Sequence, residues 1–114
     1  MNYSELSDFE INKAVYIAVV KGDLGNYKLS RHGNSLCVKD PYVDEFSYFD
    51  FCSSWVDAGQ LMEDAMIDLK KNHGKLSSGH YSAIFNTGYS VHHAVNKNPK
   101  RAIAECFLMM REGE

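Results

Sequence analysis

The stretch "NPKRAIAECFLMM", residues 98–110, constrains the fold more than any other part of the chain. Asn98 is a helix-capping residue, and Pro99 suits the first helical position, where its missing N–H would have no intrahelical partner anyway. The spacing predicts a helix running to about Arg111, with Gly113 just past its end. Ala102, Ile103, Cys106, Phe107 and Met110 form one stripe, and Ala104 and Leu108 widen it beyond a single face. A helix apolar on most sides has to lie in the core or against a partner. The rest of the chain must therefore supply elements that wrap it.

Those elements are legible in order. "SDFE" at Ser7–Glu10 is a capping box, and the apolar residues after it predict a helix over roughly Asp8–Val20, with Gly22 as its stop. "NYKLSRHGNSLCVKD" alternates on both sides of the turn signal "HGNS", which predicts a β-hairpin ended by Pro41. "VDEFSYFDF" reads as a short strand or an aromatic loop. Ser54 caps a second helix, with Asp57 as its box partner and Trp55, Ala58, Leu61, Met62 and Ala65 at helical spacing. Gly59 inside that helix costs about 1 kcal/mol relative to Ala, which implies close packing against another backbone. "MIDLKK" and "HYSAIF" read as strands flanking the turn "NHGK", while residues 86–97 show no clear period. The reading is a single domain over residues 1–114 of class α+β. A small, mainly antiparallel sheet packs on three helices in the order α-β-β-α-β-β-α.

Chemistry is sparse. The cysteines, Cys37, Cys52 and Cys106, are odd in number and form no CxxC pair, which points to free thiols in a reducing cytoplasm. Ala14–Val20 is far too short to span a bilayer. His92 and His93 are adjacent and so diverge, and no recognised ligand spacing joins any histidine to a cysteine, so neither a metal nor a cofactor is expected. Cys52, just ahead of a helix N-terminus, is the best-placed nucleophile, but the sequence ties no base to it. No catalytic residue is assigned, and the chain reads as a non-enzyme.

Charge leaves two candidate surfaces. Asp40, Asp44, Glu45, Glu63 and Asp64 are acidic candidates for contact with a basic protein partner. Glu63 and Asp64 are expected on different faces of their helix. Lys70, Lys71, Lys75, Lys97, Lys100 and Arg101 are the candidates for a nucleic acid or other anion, with Tyr81 or Tyr89 as bases' stacking partners. With a net charge of −3, nucleic acid is the weaker reading, because any basic patch would have to be local. Self-association into a homodimer through exposed aromatics is a further alternative.

Three stretches together, "MNYSELSDFEINKAV", "CSSWVDAGQLME" and "NPKRAIAECFLMM", resemble the NinX-like family of small phage and prophage proteins of unknown function. The resemblance covers nearly the whole chain in order and is weakest over residues 72–97. It departs from the family pattern at Phe49-Asp50-Phe51, where the family often carries an Asn-Pro pair. It implies an accessory protein of a lambda-like phage, working in the cytoplasm of the infected or lysogenic host. Such a protein would bind a host or phage protein, one form being inhibition of a host defence nuclease complex. The alternatives are a role with phage replication or recombination nucleic acid, and a small enzyme. The family's shared positions would be the first helix, Trp55-Asp57-Gly59 and Asn98-Pro99-Arg101.

Overall fold

The computed structural model describes residues 2–20, 27–42, 45–72 and 79–112. Gly22, Asp44, most of the "NHGK" turn, Lys75 and Gly113 lie outside the described residues. Three helices and two three-stranded antiparallel sheets form the fold. A short 3-10 turn, Tyr3–Glu5, precedes α1, Asp8–Val19. The first sheet follows, with β1 (Lys28–His32), β2 (Ser35–Lys39) and β3 (Phe46–Phe49) in that spatial order. Next come α2, Trp55–Ala65, and the second sheet of β4 (Asp68–Lys71), β5 (Tyr81–Asn86) and β6 (Val91–Asn96). Helix α3, Pro99–Glu112, closes the chain.

The α+β class and its helices match the sequence reading, and each β region carries one strand more. The stretch left open between strand and aromatic loop is β3. The stretch without a period is β6. Among the described residues the strands divide into two sheets, with no ladder joining β3 to β4.

α3 is the central element. Ala102 through Leu108 are seven consecutive buried residues, as a helix apolar on most sides requires. It packs on α1, α2, β5 and β6, and the core gathers Ile11, Val15, Leu61, Ile67, Ala83, Ala94, Ile103 and Phe107 around it. The first sheet joins this body through β2 against α1, with Leu36 and Val38 buried beneath it.

Local chemistry sets the boundaries. Ser7 accepts from the Glu10 amide at 3.1 Å and Glu10 reaches back, completing the predicted capping box. In the first hairpin Gly33 has φ +61° and His32 pairs with Ser35, so the glycine supplies the positive φ that a two-residue hairpin turn demands. α2 ends on Met66, a left-handed residue at φ 57°, a stop that sequence does not advertise because the conformation favours glycine.

Gly59 corrects the sequence reading. A Cβ built there meets nothing within 4 Å, so no backbone approaches it. Gly59→Ala should therefore stabilise the fold by about 0.5–1 kcal/mol, since helix propensity improves without a clash. Thermal unfolding would read this as a midpoint raised by about 2–4 °C. A lowered midpoint would mean the site is filled.

Candidate functional site

Two features concentrate polar chemistry: a buried seam where α1, α2 and α3 begin, and a groove between the C-terminal half of α1, β3 and the length of α2.

The seam is built around Cys52, whose polar groups all have internal partners. Its N–H donates to Asn12 Oδ1 at 3.1 Å, its carbonyl accepts from Asn98 Nδ2 at 2.5 Å, and its thiol donates to Asp8 carbonyl oxygen at 3.8 Å. Asn12 is fully buried and also donates to Asn34 carbonyl oxygen at 2.7 Å and Asp50 Oδ1 at 3.0 Å. Asp57 does not close the predicted box with Ser54. Ser54 Oγ accepts from the Asp57 amide at 3.5 Å, but the Asp57 carboxylate accepts from the Asp50 amide at 2.9 Å. Asn98 caps α3 as expected, accepting from the Lys100 amide at 3.1 Å.

Arg101 is the seam's cation. Its guanidinium donates to Asp8 Oδ1 at 2.5 Å and to the carbonyl oxygens of Leu6 and Tyr3, and its Nε lies 3.5 Å from Glu105 Oε2. Glu105 also accepts from Asn96 Nδ2 at 3.2 Å. Burial pushes the Glu105 carboxyl above its ordinary range, while Arg101 and Asn96 oppose that rise. Arg101 thus ties the N-terminal turn and α1 to α3, and its donors face inward rather than to an external anion.

The seam has the wrong electrostatics for a nucleophile. Burial, reinforced by the Asp8 carboxylate, pushes the Cys52 thiol up to about 12, and burial raises Cys106 to about 11. Both thiols are fully buried. At about pH 8 a thiol reagent should leave Cys52 and Cys106 of the native protein unmodified and label both on unfolding. Rapid labelling of Cys52 in the native state would contradict this. Among the described residues no three His, Cys, Asp or Glu side chains converge as a metal site.

The groove runs along the outer side of α1. Its central part, about 290 Å³, is lined by Tyr16, Val19, Phe49, Phe51, Asp57, Gln60, Leu61 and Asp64. Tyr16 and Phe49 continue it into a part of about 200 Å³ bounded by Tyr27, Asp40 and Glu45. Val19, Leu61 and Asp64 continue it the other way to Phe107 and Arg111. The floor is aromatic, with the Tyr16 and Phe49 rings 4.9 Å apart and Phe49 stacked on Phe51 at 6.1 Å. The rim is acidic and partly ordered: Tyr27 Oη donates to Asp40 Oδ2 at 3.4 Å, and Gln60 Nε2 donates to Asp64 Oδ1 at 2.9 Å.

The predicted acidic residues divide accordingly. Asp40, Glu45 and Asp64 border this groove, and Asp57 joins them. Glu63 faces a separate hollow between α2, β4 and β5, of about 720 Å³, with Gly59, Met66 and Phe85. The floor residues Tyr16, Phe49 and Leu61 are not distinguishable from ordinary core by sequence. Only the β-hairpin and the α2 stripe hinted at apolar faces there.

The basic candidates lie on separate elements. Lys70 and Lys71 lie on β4, and the row Lys71–Tyr81–Asn96 places Lys97 just past the end of β6, the opposite outer strand of the same sheet. The Lys100 ammonium sits 4.8 Å from the Trp55 ring, which is half exposed rather than core. Arg101 is spent internally. Tyr89 stands at the β5–β6 hairpin tip, the far end of the sheet from Lys71, so it cannot stack a base beside the β4 lysines. No helix among the described residues is long and apolar enough to cross a membrane.

Comparison with known proteins agrees with the resemblance carried by the three sequence stretches. No curated protein matches the chain. The family model described as "Bacteriophage P22, NinX" matches residues 2–111, nearly the entire chain. The chain belongs to the NinX family of bacteriophage P22, a family of small phage proteins.

Proposed function

We propose that this phage accessory protein is not an enzyme and acts in the host cytoplasm by binding a host or phage protein through the acid-rimmed groove. The observation that carries the reading is the convergence of Asp40, Glu45, Asp57 and Asp64 around the Tyr16–Phe49–Leu61 floor. An apolar floor rimmed mainly by carboxylates, with Arg111 at one end, matches a partner segment of opposite pattern, an apolar anchor flanked by lysine or arginine. The floor would supply affinity by desolvation, and the rim would supply steering and register.

A nuclease or its accessory subunit meets that description where it grips a nucleic-acid backbone. Carboxylates at the groove would compete with phosphates for the same cations, so a host defence nuclease complex is one concrete target. The nucleic-acid reading is weaker, because Arg101 is internal and the net charge is −3.

Affinity capture from host lysate with the full chain immobilised tests the reading. A stoichiometric protein partner is expected, released as ionic strength rises because Glu45 and Asp64 on the rim are solvent-exposed. Failure to recover one from several natural hosts, together with salt-sensitive retention of nucleic acid, would overturn it.

A further inference from the structure

The second sheet has two outer strands among the described residues, β4 and β6, and β6 is the one without fixed charge. Its hydrogen-bond phase is fixed at both ends. The Thr87 N–H donates to the Ser90 carbonyl at 3.1 Å, so this pair is a bonded one and the phase alternates from there. Residues 85, 83 and 81 therefore exchange bonds with 92, 94 and 96. On the other side the Asn72 N–H donates to the His80 carbonyl at 2.9 Å, which turns residues 82 and 84 toward β4 and gives the same phase. The backbone N–H and C=O groups of Val91, His93 and Val95 consequently point away from the sheet. Among the described residues nothing pairs with them.

Their side chains share the face opposite the buried Ala94, and all three are exposed. Proteins usually guard such edges with charge, proline or a bulge. β4 carries Asp68, Lys70 and Lys71, and β1 carries Lys28 and Arg31. β6, "VHHAVN", has no proline and no residue of fixed charge.

We propose that β6 pairs antiparallel with β6 of a second copy across a twofold axis at His93, joining two three-stranded sheets into one of six strands. A twofold axis makes a self-complementary contact, and the alternation restricts its register. The register that engages every outward group sets His93 opposite His93 and Val91 opposite Val95, giving about six N–H···O bonds. The valines then pack across the junction on one face. The same register explains Tyr89, a fully exposed aromatic. Tyr89 precedes His93 by four residues and Lys97 follows it by four, so each hairpin tip comes beside Lys97 of the other copy, a cation near an aromatic ring at both ends. That match is built into a single strand and its flanks, which favours a second copy over a foreign strand. None of the groove residues takes part, so this inference stands apart from the proposed function.

Sedimentation equilibrium of the full chain over a concentration series, combined with amide exchange by NMR, tests it. A dimer is expected whose formation slows exchange at Val91, His93 and Val95 while the outer edge of β4 keeps its rates. Val91→Lys with Val95→Lys, at exposed positions, should weaken the dimer tenfold or more, and Tyr89→Ala should weaken it several-fold with the fold intact. A monomer at every concentration would overturn the proposal. So would a dimer in which those three amides stay fast, or one indifferent to the lysine substitutions.

Discussion

Arg101→Met is expected to destabilise the protein by about 3 kcal/mol, because it leaves the Asp8 carboxylate and the Leu6 and Tyr3 carbonyls without their donor at a half-buried site. Methionine fills most of the volume, so the loss is electrostatic rather than a cavity effect. In thermal unfolding this corresponds to a fall of about 10 °C for a domain of this size. The pH dependence separates this cause from simple loss of packing. Glu105 already has a carboxyl raised by burial and held down partly by Arg101. Without the guanidinium its folded-state pKa rises further above the unfolded value. The folded state then binds more protons than the unfolded one just above the ordinary carboxylate range, and stability falls as pH rises through that interval. The deficit of the variant relative to the parent should therefore shrink on acidification as Glu105 protonates. A deficit that stays constant with pH would mean that Arg101 contributes by packing alone.

Asn12→Leu is expected to cost a similar amount, about 2–4 kcal/mol. The substitution keeps side-chain volume near constant but orphans the buried Cys52 amide and removes the donor to the Asn34 carbonyl and Asp50. Asn12 ties α1 to the start of β2 and to the loop before α2, so the loss should be local as well as global. Amide exchange at Cys52 should accelerate well beyond what the change in overall stability explains. A near-neutral Asn12→Leu would show that these bonds are replaced by water.

Much of the fold was legible because its signals are local. The Ser7 box, the Asn98-Pro99 start, the Gly33 turn and the apolar girth of α3 each rest on residues within a few positions of one another. β6 was not legible because its alternation runs the unusual way. Val91 and Val95 face solvent while Ala94 is its buried residue, so the larger apolar side chains mark the wrong face. The Gly88-Tyr89 turn, with Gly88 at φ +88°, was the signal that a hairpin lay there. Trp55 looked like core because size and spacing said so, yet it packs at an edge under Lys100.

The sites were less legible than the fold, since they depend on residues distant in sequence. Arg101 and Asp8 are 93 positions apart, and nothing in "NPKR" distinguishes an inward arginine from an anion-binding one. Asn12 did leave a trace, a polar residue in phase with Ile11 and Val15 on the buried stripe of α1. Asp40, Glu45 and Asp64 were recognisable as acidic but not as neighbours of one groove. Only the shared groove lining of α1, β3 and α2 separates them from Glu63.

That separation offers the most direct test of the central claim. The affinity of the captured partner is compared for the parent chain, for Glu45→Lys and Asp64→Lys on the groove rim, and for Glu63→Lys on the neighbouring hollow. All three positions are exposed and each substitution reverses one charge, so fold stability should change little. The two rim variants are each expected to lose tenfold or more in affinity, chiefly through slower association, while Glu63→Lys binds as the parent does. Equal loss in all three, or no loss at Glu45 and Asp64, would contradict a partner seated in the groove.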